Sequence, residues 1–504
     1  MTSERAGTLG AETTGVQAER EVGSKRFAWM SSAPTRSNRA RGETASLVLT
    51  ADRLWLAALL TFFGVKQVLF VFLFGPFSGH DEVDHFWYAE RLAAGFGLGV
   101  VGEVELPPSA ERYAHYVADY PLNSEVIQPP LYHLGLAALG NLLPGGTLTT
   151  LYEFRLVSVA LGAIVVWLSY LIARQLFPGD VSVRIGVPVF VALQPQFAFE
   201  SAIVNHDILV ILLATLGCYL TFRGVRRGFS WRLALAIGLV SAAGLWTKVS
   251  FGLMLPVFGA GLLIFALNEV RSLRLRRART ELLLRRVLVQ GALMLGVPIV
   301  AILPWFIRNL GLYDDPTGAT RLQEVSDYAL SASTYSEMIT SPLFWRGRLD
   351  DFWSNYGWRE IPWDNATSLL VYLCWGIAGL GVLALGIRQT LSIRSRSLSS
   401  VFDHYQTQCL GLTVLAVGLM TFAVLYVGTL QFTQSRFAFP AMFGFGLLTI
   451  LGFGAWVPAR QRWLIPVALA VAMLVLNLVV AAEFVIPYYV GPGGGQLVVP
   501  QGAP

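Results

Sequence analysis

The residues best suited to chemistry lie in one stretch, Gly79-His80-Asp81-Glu82-Val83-Asp84-His85. Its closely spaced carboxylates and imidazoles can supply a general base or ligate a divalent cation. If the stretch opens a helix, Asp81, Asp84 and His85 share a face, because positions three and four apart are neighbours. The plain alternative is a solvated helix start, where acids favour the helix dipole. A second polar group is Gln194-Pro195-Gln196, Glu200 and Asn205-His206-Asp207. There Asp207 either joins a site or caps the next helix. Gln128-Pro129-Pro130-Leu131-Tyr132-His133 leads into a short apolar segment, with prolines at an ordinary helix start. Three cations stand at the ends of apolar runs: Lys248, Arg308 and Arg436. An arginine fork suits phosphate, although such cations also anchor helices at a membrane interface. His80, Asp81, Asp84, His85, His133 and His206 leave a divalent cation open. The cysteines Cys218, Cys374 and Cys409 have no paired spacing, which argues against a thiolate zinc site or a disulfide framework.

The elements that position these residues are membrane helices. The chain is 54% hydrophobic and 14% charged, against about 25% charged in an average soluble domain. That balance excludes one large soluble protein and a disordered chain. Apolar runs fall near 54–74, 154–176, 183–199, 207–222, 232–247, 249–267, 286–306, 368–388, 409–430, 435–456 and 463–485. Many approach the roughly 20 residues that cross a bilayer. Strand-period alternation is absent, so a β-barrel is excluded. A shorter run over 131–143 fits an interfacial or re-entrant helix. If it does not cross, most of the 37 Lys and Arg lie in the tail and the loops on the cytoplasmic side, as the positive-inside rule requires. The fold class expected is therefore an all-α polytopic membrane protein of about eleven spans, N-terminus in and C-terminus out. Residues 1–50 read as a disordered cytoplasmic tail, 51–490 as the membrane domain and 491–504 as a short outer tail. Two long loops, 75–153 and 307–367, face outward. The net charge of +5 then reports orientation, basic inside and acidic outside, not nucleic-acid binding.

This topology collects the acids and the three cations at one depth on the outer side, which suits a reaction between an anionic lipid and a polar acceptor. In that arrangement the chain resembles the GT-C class of membrane glycosyltransferases. The branch is the one that includes protein O-mannosyltransferases and the aminoarabinose transferases of lipid A. The resemblance rests on Asp81-Glu82 after the first span and on Gln128-Pro129-Pro130-Leu131-Tyr132. It rests also on Arg155-Leu156, on Asn205 and Asp207, on Thr247-Lys248, and on Arg308-Asn309 and Arg436-Phe437 with Pro440. These run from about 55 to 445, most of the chain. The sequence departs from the family in its third acid, Asp84, and its flanking His80 and His85.

The resemblance implies a GT-C-like helix arrangement with interfacial helices in the first outer loop. It implies a sugar donor on a polyprenyl phosphate, and an acceptor that is protein, lipid or glycan. Asp81 is then the general base, with Glu82 second. Lys248, Arg308 and Arg436 would bind the donor phosphate, and Asp84, His85, Tyr132, Asn205 and Asp207 would support them. Transfer inverts the anomeric carbon, in a plasma membrane with the site facing outward. A transporter or lipid flippase is the alternative. Such proteins favour charged sites at the bilayer midplane, whereas these spans hold few charges, with Lys66 and Glu483 the exceptions.

Overall fold

The computed structural model describes residues 38–113, 121–273, 277–325, 333–394, 405–430 and 433–490. Residues 1–37 of the expected tail, and all of 491–504, lie outside the described residues. The chain divides into a short unit, Met1–Ala58, and a large one, Leu59–Pro504, which holds every candidate site residue.

Among the described residues the regular elements are helices, with one isolated antiparallel bridge between Glu105 and Leu122. The first helix, α1, covers Asn38–Leu73 and so begins within the segment read as a tail. Then come α2 (Glu82–Ala93), α3 (Leu131–Leu142), α4 (Thr147–Leu176), α5 (Val181–Leu193), α6 (Pro195–Glu200), α7 (Asp207–Arg227) and α8 (Trp231–Leu245). They are followed by α9 (Leu255–Leu273), α10 (Arg277–Gly291) and α11 (Val297–Tyr313). The last group is α12 (Pro342–Ser354), α13 (Asn365–Arg394), α14 (Tyr405–Leu430), α15 (Met442–Gly454) and α16 (Leu464–Val479).

The protein is an all-α polytopic membrane protein. Nine helices among the described residues are long and apolar enough to cross a bilayer. The two other apolar runs form α5 and α8, of 13 and 15 residues. At 1.5 Å per residue these reach about 20 Å, short of the roughly 30 Å hydrocarbon core. Proline explains the early end of α5: Pro195 disfavours helical geometry at Gln194, which turns extended and caps α6 instead.

Hydrogen bonds nevertheless place α5 and α8 between the same two ends as the long helices. At one end, Gln175 of α4 donates to the Tyr405 hydroxyl at 2.9 Å, and Arg226 of α7 to the Gln175 carbonyl at 3.2 Å. Arg286 of α10 donates to the Phe229 carbonyl, just before α8, at 2.6 Å. At the other end, Gln194 after α5 donates to the Phe352 carbonyl at 2.5 Å. Lys248, just beyond α8, there meets Asp207 at the start of α7. The short helix α3 lies at this second end, where the Leu131 amide donates to the Trp246 carbonyl at 3.0 Å.

Small residues let the helices approach closely, as they do where lipid removes the hydrophobic drive between them. Gly452 of α15 packs against the backbone of Ala378 in α13, leaving no room for a Cβ. Trp353 and Tyr356, in the long segment 307–367, are buried and pack edge-on or tilted against Phe190, Phe199 and Phe74. They are core residues.

Candidate active site

The site is built on a buried ion pair. Arg155 of α4 grips Glu82 with a two-pronged fork, Nε to Oε1 at 2.8 Å and Nη2 to Oε2 at 2.7 Å. Its remaining N–H groups go to the carbonyls of Val71 (2.8 Å), Phe74 (2.9 Å) and Gly75 (2.7 Å). These are carbonyls at and just beyond the end of α1, where helical partners run out. Glu82 also accepts from the amides of Val204 (2.8 Å) and Gly79 (3.1 Å). Both side chains are fully buried. Glu82, expected as the second catalytic acid, is thus fully engaged as a joint between α1, α2, α4 and the turn before α7. Each of its oxygens accepts from one backbone amide and from the guanidinium.

That joint orients its neighbour. Asp81 caps α2 in the left-handed region, φ 52° and ψ 15°, which aspartate tolerates better than most residues. No capping hydrogen bond holds its side chain. The carboxylate meets Arg436 instead, Oδ2 to Nη2 at 2.7 Å. Arg436 Nε lies 3.8 Å from Asp207 Oδ2, and Asp207 Oδ1 lies 2.6 Å from Lys248 Nζ. Lys248 also sits 4.7 Å over the Phe437 ring. Asp81, Arg436, Asp207 and Lys248 therefore form one continuous chain of alternating charge. Two buried nitrogens of Arg436, Nε and Nη1, have no hydrogen-bond acceptor. Asp81 is the most open carboxylate of this group, its side chain 13% exposed against 8% for Asp207 and 0% for Glu82.

Arg308, expected beside the other two cations, has partners of its own. Its Nη2 is held by the Gly99 carbonyl, its Nη1 donates to Asn309 Oδ1 at 3.0 Å, and it stacks 4.8 Å over Trp305. The supporting residues fall as follows. Asn205 donates to Glu200 Oε2 at 2.7 Å and accepts from the Asp207 amide at 2.8 Å. The Tyr132 hydroxyl lies 3.4 Å from Ser158 Oγ. Asp84 is buried, and burial with Asp81 nearby holds its carboxyl well above the usual range.

His85 belongs to a second cluster. Its Nδ1 lies 3.0 Å from His133 Nε2 and 3.4 Å from His206 Nδ1. Glu125 Oε2 lies 3.6 Å from His85 Nδ1 and 3.4 Å from His206 Nδ1. Burial depresses all three imidazoles, His133 down to about 3, so they are neutral. His80 is separate: its Nε2 donates to the Asn355 carbonyl at 2.7 Å. Glu125 is the residue that sequence reasoning missed, since only the folded segment between α2 and α3 brings it to histidines 40 or more positions away.

Glu200 offers a test of this electrostatic picture. Burial raises its carboxyl to about 7, against the opposing pull of Arg436. A raised folded value means that its contribution to stability is complete below the unfolded value of about 4.5. It is then lost as pH rises toward 7. Glu200→Gln is expected to flatten the fall in Tm between pH 5 and 7.5 relative to wild type. An unchanged slope would remove Glu200 from the account.

Residues 128–295, a third of the chain, match the model of the dolichyl-phosphate-mannose-protein mannosyltransferase family. A comparison with curated proteins found no match. Two solved structures are similar. One is the archaeal oligosaccharyltransferase AglB from Archaeoglobus fulgidus, in complex with an inhibitory peptide and a dolichol-phosphate. Its identity is 13% and its TM-score 0.46, over 85% of this chain and 55% of that one. The other is ArnT from Cupriavidus metallidurans, bound to undecaprenyl phosphate, with 15% identity and a TM-score of 0.43. That similarity covers 86% of this chain and 73% of ArnT. The chain thus spans little more than half the length of the oligosaccharyltransferase. The segment from Gln128 to Leu295, which carries Tyr132, Arg155, Asp207 and Lys248, is similar to the protein mannosyltransferase family.

Proposed function

We propose that the chain is a membrane glycosyltransferase of GT-C type, moving a sugar from a polyprenyl-phosphate donor to an acceptor hydroxyl. The observation that carries this reading is the Asp81–Arg436–Asp207–Lys248 chain, with Arg436 Nε and Nη1 lacking a hydrogen-bond acceptor beside the Asp81 carboxylate. The mannosyltransferase family match over 128–295 agrees with it.

In the proposed reaction the acceptor oxygen attacks the anomeric carbon from the face opposite the phosphate. The new C–O bond forms as the bond to the phosphate oxygen breaks, and its electron pair leaves with the lipid phosphate. The configuration inverts. Asp81 takes the acceptor proton through the oxygen that Arg436 does not hold. Arg436 Nε and Nη1, which lack hydrogen-bond acceptors, and the Lys248 ammonium receive the charge growing on the phosphate. Fixed donors of this kind need no reorganisation as the reaction proceeds. The site faces outward from a plasma membrane crossed eleven times, because that orientation leaves the basic loops in the cytoplasm.

Purified protein in nanodiscs, given labelled polyprenyl-phosphate hexose and a hydroxyl acceptor, should release the lipid phosphate. Movement of the lipid between leaflets without cleavage would instead support the flippase alternative. Lys248→Met is expected to reduce transfer on the order of 10²-fold, the scale seen when one oxyanion donor is lost. Undiminished turnover in that variant would take Lys248 out of the phosphate site.

A further inference from the structure

The chemistry proposed above uses none of the three buried histidines of the second cluster. His85 comes from α2, His133 from α3 and His206 from the turn before α7, and Glu125 comes from the outer loop between α2 and α3. The donor nitrogens of the histidines lie within 4.8 Å of one another, as do donor atoms of Asp81, His85 and Glu125. Ligand atoms at about 2.0–2.1 Å in a tetrahedral zinc site stand roughly 3.3 Å apart. His85 Nδ1 stands 3.0 Å from His133 Nε2, 3.4 Å from His206 Nδ1 and 3.6 Å from Glu125 Oε2, and His206 Nδ1 stands 3.4 Å from Glu125 Oε2.

A plain imidazole network fits less well. Glu125 Oε2 is buried and receives no hydrogen bond, although two imidazole nitrogens stand near it. One carboxylate oxygen and two of the ring nitrogens lie within 3.6 Å of one another, and the third ring nitrogen lies 3.0 Å from His85 Nδ1. A neutral ring carries only one proton. A cation satisfies all four at once. The outward-facing atoms also suit ligation. His206 Nε2, on the other side of the ring from Nδ1, is buried without a hydrogen-bond partner and lies 3.3 Å from Asp207 Oδ1. A carboxylate behind a ligating histidine fixes its tautomer and strengthens it as a ligand. The Tyr88 ring packs against His133 at 4.3 Å between centroids, which orients that imidazole.

We propose that His85, His133, His206 and Glu125 bind one transition-metal ion of the zinc class. Three imidazoles select such an ion over magnesium or calcium, which favour all-oxygen sites. The ion ties α2 and α3 to the turn before α7, and through Asp207 it borders the charge chain of Asp81, Arg436 and Lys248. The proposal is independent of the glycosyl-transfer reading, because its readout is metal content.

Full-length protein with its affinity tag removed is loaded with zinc and then desalted. About one zinc per chain should remain, with X-ray absorption showing nitrogen and oxygen ligands at about 2.0–2.1 Å. Cobalt loading should give the absorption bands of a tetrahedral ion. His85→Ala and His206→Ala should each lose the ion, whereas His80→Ala should retain it. Asp207→Asn should weaken zinc binding by about 10–100-fold. Wild-type protein that keeps no zinc or cobalt after desalting would overturn the proposal. So would full zinc retention in both His85→Ala and His206→Ala.

Discussion

Asp81→Asn is expected to lower the rate of sugar transfer by about 10²–10⁴-fold, the usual contribution of one positioned base. The substitution keeps the shape of the side chain. The amide oxygen can still accept from Arg436, which stands 2.7 Å from Oδ2, so the guanidinium should stay in place. The left-handed backbone at Asp81 also suits asparagine. Donor binding and Tm should therefore change little, and the loss should fall on kcat. Single-turnover transfer from a labelled polyprenyl-phosphate sugar measures that step directly. Near wild-type turnover would exclude Asp81 as the base. A large loss of Tm would instead mark Asp81 as a structural partner of Arg436.

The second large effect concerns folding. Glu82→Gln and Arg155→Met are each expected to cost about 3–5 kcal/mol of stability, because each leaves a buried charge without its partner. In Glu82→Gln one carboxylate oxygen becomes an NH2 that points at donors, either the Gly79 and Arg155 pair or the Val204 and Arg155 pair. In Arg155→Met the carbonyls of Val71, Phe74 and Gly75 lose their donor as well. Thermal unfolding in detergent gives the comparison. Replacing both partners with apolar residues of similar volume should recover part of the loss, since an absent pair is better tolerated than a broken one. Single variants that unfold at the wild-type temperature would show that the pair is not the joint described here. The two experiments separate adjacent carboxylates: Asp81 should fail in catalysis, Glu82 in folding.

The sequence by itself determined the class of protein and the region of the site. Length and apolarity of a run are local properties, so the runs could be located without knowing what they touch. All of them became helices, although α5 and α8 proved too short to be counted by length alone. Asp81, Asp207, Lys248 and Arg436 were legible for the same reason. A charge at the end of an apolar run stands out whatever its partner.

The partners themselves were decided only by the tertiary structure. Glu82 and Asp81 are neighbours in sequence and look alike there. Arg155, 73 positions away, takes one and leaves the other to Arg436. Arg308 resembles Arg436 in the sequence, yet the Gly99 carbonyl, 209 positions away, claims it. Glu125 carried no signal of its own, since its histidine neighbours arrive from α2 and the turn before α7. A buried polar group must be satisfied by whatever the packed helices bring within about 3 Å. That choice is made by how the chain closes on itself, and hydropathy along the sequence does not record it.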